Sequence, residues 1–73
     1  MYSLEYVDES MLDASRKQFT RVYPGFRARP LGASQDRKAV IIECEFPDGT
    51  YYFRVTEDSV SHAYTSQDAA DRA

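Results

Sequence analysis

Apolar residues along the chain change their spacing three times, and each change predicts an element. Leu12, Phe19, Val22 and Tyr23 fall on one stripe at helical spacing, with Ser15 in the gap and Arg16, Lys17, Gln18 and Arg21 on other faces. Ser10 followed by Asp13 has the serine-to-acid spacing of a capping box and predicts a helix beginning there. Pro24 drives Tyr23 out of the helical region and Gly25 permits a turn, so the helix should end at about Tyr23. Ahead of it, Ser3 to Val7 alternates loosely around Leu4 and Tyr6, as a short edge strand or an ordered lead-in would.

Period two follows. Phe26-Arg27-Ala28-Arg29 alternates apolar with basic, and Pro30 confines this first short strand to an edge or ends it. Gly32 to Arg37 reads as a surface loop. The strongest signal is a hairpin, with Lys38 to Phe46 and Tyr51 to Thr56 flanking Pro47-Asp48-Gly49-Thr50. A two-residue Asp48-Gly49 turn pairs Phe46 with Tyr51, Cys44 with Phe53 and Ile42 with Val55, all on one face. Ile41, Glu43, Glu45, Tyr52 and Arg54 then face the other way, with Glu43 opposite Arg54 and Glu45 opposite Tyr52. A three-residue loop would set Glu43 against Phe53 and mix charge into the core, which excludes it.

After Thr56 the period changes again. Thr56 could cap a helix with Glu57 and Asp58 in its first turn and Val60, Ala63 and Tyr64 on its inner side. The rival is a fourth strand with Val60, His62 and Tyr64 on one face. The fold class is therefore α+β: an N-terminal helix, a three-stranded antiparallel meander with a tight Asp-Gly hairpin and a C-terminal helix, or a fourth strand in its place. One compact domain is expected over 1–66, with 67–73 a frayed helix end or mobile tail. The expected core is Leu12, Phe19, Val22, Val40, Ile42, Cys44, Phe46, Phe53 and Val55.

Length sharpens this picture: a 73-residue chain makes one small domain that buries only about 60% of its unfolded surface. A lone Cys44 forms no internal disulfide, and one cysteine with one histidine does not complete a zinc site, so packing or a partner must stabilise it. An apolar content of 42% is enough for a folded core. No basic region followed by an apolar run opens the chain and no stretch is long enough to span a bilayer, which with the single cysteine suggests the cytoplasm. The order helix, three strands, helix resembles the layout of double-stranded-RNA-binding domains. Those grip phosphates with lysines at the start of the last helix, where this chain has Glu57 and Asp58, and the net charge of −3 opposes a general affinity for phosphate backbones.

Candidate chemistry is sparse. Cys44 falls on the inward face of the hairpin, where a thiol behaves as a small hydrophobe, and His62 is the only imidazole. Glu43 and Glu45 share a strand face about 7 Å apart, an arrangement that suits a cross-strand salt-bridge ladder with Arg54, Arg27 and Arg29. Gly25, Gly32 and Gly49 are isolated turn glycines with no phosphate loop among them, and Asp48 has no calcium-loop partners. No enzyme, cofactor or metal is expected. Six tyrosines mixed with arginine suit a protein interface. The sequence thus points to a non-enzymatic interaction module, a regulator or inhibitor of the kind phages also encode, that binds another protein or pairs as a homodimer. Its binding residues would be Arg27, Arg29, Ile41, Glu43, Glu45, Tyr52 and Arg54. The alternative is a small nucleic-acid binder using Arg27, Arg29, Arg37 and Lys38.

Overall fold

The computed structural model describes residues 8–72, so the strand or lead-in expected over Ser3 to Val7 lies outside the described residues. Helix α1 (Glu9–Val22) is followed by strands β1 (Arg29–Ala33), β2 (Val40–Phe46) and β3 (Gly49–Val55) in one antiparallel sheet of order β1-β2-β3, and then by the short helix α2 (Gln67–Arg72). The architecture is the α+β arrangement anticipated from the sequence, with corrections to where several elements start and which residues meet.

Helix α1 begins earlier than the Ser10 cap predicts. Asp8 is the N-cap, and its carboxylate accepts from the Ser10 N–H at 3.2 Å and the Ser10 hydroxyl at 3.1 Å. An anionic cap satisfies an orphan N–H and also meets the positive end of the helix dipole, which a serine does not. Asp13, freed from the expected capping box, pairs instead with Lys17 one turn on at 3.4 Å. The end is as expected: the Tyr23 N–H donates to the Phe19 carbonyl at 2.8 Å, and Gly25 turns the chain at φ +88°.

Strand β1 is displaced toward the C-terminus of the expected Phe26 to Arg29. Pairing starts at Arg29↔Glu43 and continues through Pro30↔Ile42 to Gly32↔Ile41 and Ala33↔Val40, with a bulge between Pro30 and Gly32. Pro30 sits inside a strand because that strand is an edge. The alternation before it still holds, since Ala28 packs against the core and the Phe26 ring lies 4.6 Å from Phe46.

The hairpin turns at Pro47-Asp48, which Gly49 closes at φ +148°, one residue earlier than the Asp48-Gly49 turn of the sequence reading. Cys44 therefore pairs with Tyr51, Ile42 with Phe53 and Val40 with Val55. The slip is two residues, and an even slip leaves every side chain on its expected face. Phe19, Val40, Ile42, Cys44, Phe53 and Val55 form the buried core, with Leu12, Tyr23, Phe46 and Tyr51 packed against it. Ser15 allows close approach of α1 to the sheet and its hydroxyl donates to the Val55 carbonyl at 3.3 Å. Val22, an expected core residue, is 47% exposed. The room over the sheet beside it is filled by Tyr23, whose ring lies 5.2 Å from Phe53 and 5.6 Å from Phe46.

The helix expected from Thr56 does not form. Thr56 Oγ1 accepts from the Asp58 and Ser59 N–H groups, as a cap would, but Thr56 N–H donates to the Ser59 carbonyl at 2.9 Å and the chain doubles back. It then runs along the free edge of β3, where Tyr52 and Tyr64 exchange both backbone bonds at 2.8 Å. Unpaired edge N–H and C=O groups outcompete a weak helix start. The bridges Val55↔Val60 and Tyr52↔Tyr64 are one residue out of step, so no continuous fourth strand results. Helix lies further on, at Gln67–Arg72, in the segment read as a frayed end or tail; Ser66 Oγ accepts from the Ala69 N–H at 3.1 Å and Ala70 is fully buried.

The Phe53 ring is completely buried and makes ring contacts with Phe19, Tyr23 and Phe46. Phe53→Ala should destabilise the domain by about 3–5 kcal/mol, while Val22→Ala should leave thermal unfolding nearly unchanged. A denaturant titration of both variants checks the pair, and equal losses would contradict this packing.

Candidate functional site

Side chains on the sheet face away from α1 divide into two halves, and the division decides which expected site residues are accessible. At one end Ile41 and Arg54 are cross-strand partners. Ile41 is fully buried, not the exposed isoleucine of the sequence reading, because α2 lies over this end of the face. Arg54 is turned the same way. Its guanidinium donates to the carbonyls of Ala70 and Asp71, both at 3.1 Å, and to Asp36 Oδ2 at 2.9 Å, leaving the side chain only 14% exposed. Asp71 in turn accepts from the Gln35 N–H at 2.6 Å. The expected Glu43–Arg54 pair is absent because the register sets Glu43 opposite Tyr52.

The other half is open. Arg29, Glu43, Tyr52 and Tyr64 are successive backbone partners across the sheet. Arg29 reaches Glu43 at 3.4 Å, with the arginine side chain 75% exposed. Arg27 and Glu45, both exposed, complete a shallow hollow with this pair. Tyr52 and Tyr64 are half-buried, and the exposed His62 ring lies 4.2 Å from Tyr64. Of the expected site, Arg27, Arg29, Glu43, Glu45 and Tyr52 come together here; Ile41 and Arg54 are structural. Tyr64 and His62 join the surface unforeseen as a group, although the fourth-strand alternative already placed them on one face.

The basic cluster is not assembled. Arg29 opens β1 with Arg27 ahead of it, and Arg37 and Lys38 lie beyond its end, separated by four strand steps, roughly 13 Å. Arg37 and Lys38 instead line a depression with Glu57 and Asp58.

Reactive groups are held apart as well. Cys44 is 1% exposed on the core side, and burial, followed by the negative charge of Glu45, pushes its thiol above the ordinary range. His62 stands at the edge of the opposite face. Among the described residues no three histidine, cysteine or acidic side chains converge as a metal site, and no helix is long and apolar enough to cross a membrane.

Asp36 carries the largest electrostatic perturbation. The Ser34 hydroxyl, then the Lys38 N–H, hold its carboxyl down at about 2; partial burial opposes them and Arg54 reinforces them. Loop residues Ser34, Asp36 and Lys38 give a local turn signal, but nothing in the sequence ties them to Arg54 and Asp71.

Compared with protein families, curated proteins and solved structures, the chain matches none.

Because the folded carboxyl titrates below its ordinary value of 3.8, the folded state binds the proton more weakly. The stability Asp36 adds is present above about pH 4 and is lost as pH falls through about 2. The melting-temperature difference between the natural protein and Asp36→Asn should therefore be constant from pH 7 to 5 and shrink below pH 4. A difference that stays constant down to pH 2 would contradict the assignment. Cys44 should react with a thiol reagent slowly in the folded protein and quickly once unfolded.

Proposed function

We propose that the protein is a non-enzymatic interaction module, a regulator or inhibitor that binds another protein, or a second copy of itself, through the open half of the outer sheet face. The observation that carries this reading is the row Arg29, Glu43, Tyr52, Tyr64, which sets half-buried aromatic rings beside exposed charges of both signs. Protein interfaces have this anatomy: an aromatic centre in a polar rim. Tyr52 and Tyr64 are held by paired backbone, so binding need not order the chain that carries them.

A protein partner fits better than nucleic acid. Of the basic residues, Arg29 is already matched to Glu43, and Arg37 and Lys38 lie apart beside Glu57 and Asp58. A phosphate backbone requires a continuous basic track. The hollow formed by Arg27, Arg29, Glu43 and Glu45 has two charges of each sign and favours a partner surface that also alternates.

Affinity capture from the native host, followed by mass spectrometry, identifies the partner. Tyr52→Ala should then weaken binding by about 2 kcal/mol or more, against at most about 1 kcal/mol for Arg27→Ala or Glu45→Ala at the rim. A folded Tyr52→Ala protein that binds at full strength would refute this site. A complex dispersed by nuclease would favour the nucleic-acid alternative.

A further inference from the structure

The two helices are fastened to the sheet by different physics. Helix α1 holds its face with Phe19, fully buried, and with Leu12 and Tyr23 packed on the same core. Helix α2 has the sequence Gln-Asp-Ala-Ala-Asp-Arg, with no apolar side chain larger than alanine, and only Ala70 is fully buried. Its attachment is polar: two carbonyls accept from Arg54, and Asp71 accepts from the Gln35 N–H. On opening, water can take the place of each of these polar partners, whereas nothing in water replaces the packing of a buried ring.

Nor does α2 sustain itself. Six residues are far too few for an independent helix. The chain joining it to the last bridge, at Tyr64, is Thr65-Ser66, both exposed. Segments fastened this way open at a lower free energy than the whole domain. Beneath it lies Ile41, fully buried, whose cross-strand partner Arg54 keeps Asp36 when α2 leaves.

We propose that α2 is a lid that opens independently of the rest of the domain, baring Ile41 and joining the covered half of the outer face to the open half. Opening turns a small polar-rimmed surface into one with an aliphatic centre. Its meaning for recognition rests on the function proposed above, whereas the opening itself does not.

Strand β2 contains its own control. Ile41 and Cys44 are on opposite faces of one strand, 0% and 1% exposed, one under α2 and the other under α1. Two single-cysteine proteins are compared, the natural chain and Ile41→Cys in a Cys44→Ala background, each labelled with a thiol reagent and referenced to its own denatured rate. The thiol at 41 should react at least tenfold faster than the thiol at 44 in the folded state. Because substitution at 41 itself loosens packing, hydrogen exchange on the natural chain gives the deciding reading. The Ala70 amide, bonded to the Ser66 carbonyl at 3.2 Å, should exchange at least tenfold faster than the amides of Ile42 and Phe53. Equal protection would mean that α2 leaves only when the domain unfolds, and would overturn the lid. That result would leave recognition by Tyr52 standing, just as full-strength binding by Tyr52→Ala would remove the recognition site and leave the lid standing.

Discussion

The Arg54 guanidinium ties together three distant parts of the chain. It is anchored in β3, reaches across to Asp36 in the loop between β1 and β2, and holds the carbonyls of Ala70 and Asp71 in α2. A planar fork with five donors suits this task, and a lysine ammonium, a compact charge, would not span the same acceptors. The charge tolerates its low exposure because Asp36 lies beside it at 2.9 Å and is kept ionised by Ser34 and Lys38. Ile41 is buried as a consequence, since the helix that covers it is positioned by its cross-strand neighbour.

This arrangement answers the size problem set by a 73-residue chain with one cysteine. A three-stranded sheet covered on one side only would leave a whole face to solvent, and small domains have little burial to spare. On one face Phe19, Tyr23, Phe46 and Phe53 interlock. The chain covers part of the other with a short polar helix and closes the β3 edge with the returning segment through Tyr64. Pro30 and the adjacent bulge interrupt the remaining edge at β1, as exposed edges generally require.

What the sequence made legible was parity, and what it hid was position. Alternation around Ile42, Cys44 and Phe53 correctly assigned the core face even though the turn lies at Pro47-Asp48, because faces repeat every two residues and the register slipped by two. The same slip separated Glu43 from Arg54, so a charge pair inferred from register failed where the hydrophobic pattern survived. Thr56 gave a genuine capping signal, but the open edge of β3 is a tertiary demand whose only local trace was the alternation of Val60, His62 and Tyr64 behind the fourth-strand alternative. Residues 67–72 read as a frayed helix end or mobile tail because they carry no apolar side chain larger than alanine, and Ala70 alone is fully buried. Ile41 misled for a related reason: an apolar residue on the polar face was taken as a contact for a partner, when the partner was α2.

The two ion pairs of the outer face differ in what they leave free. Arg54 is committed, with three acceptors at 2.9–3.1 Å and little exposure. While α2 is in place, the Arg54 guanidinium is occupied and offers nothing to a partner. The Arg29–Glu43 pair is single, 3.4 Å long, and three-quarters exposed on the arginine. Such a pair contributes about 0–1 kcal/mol, so replacing it with contacts to a partner sacrifices little of the domain's own stability. The open half of the face, where charges are weakly matched, is therefore the half whose polar groups are least committed to the closed fold.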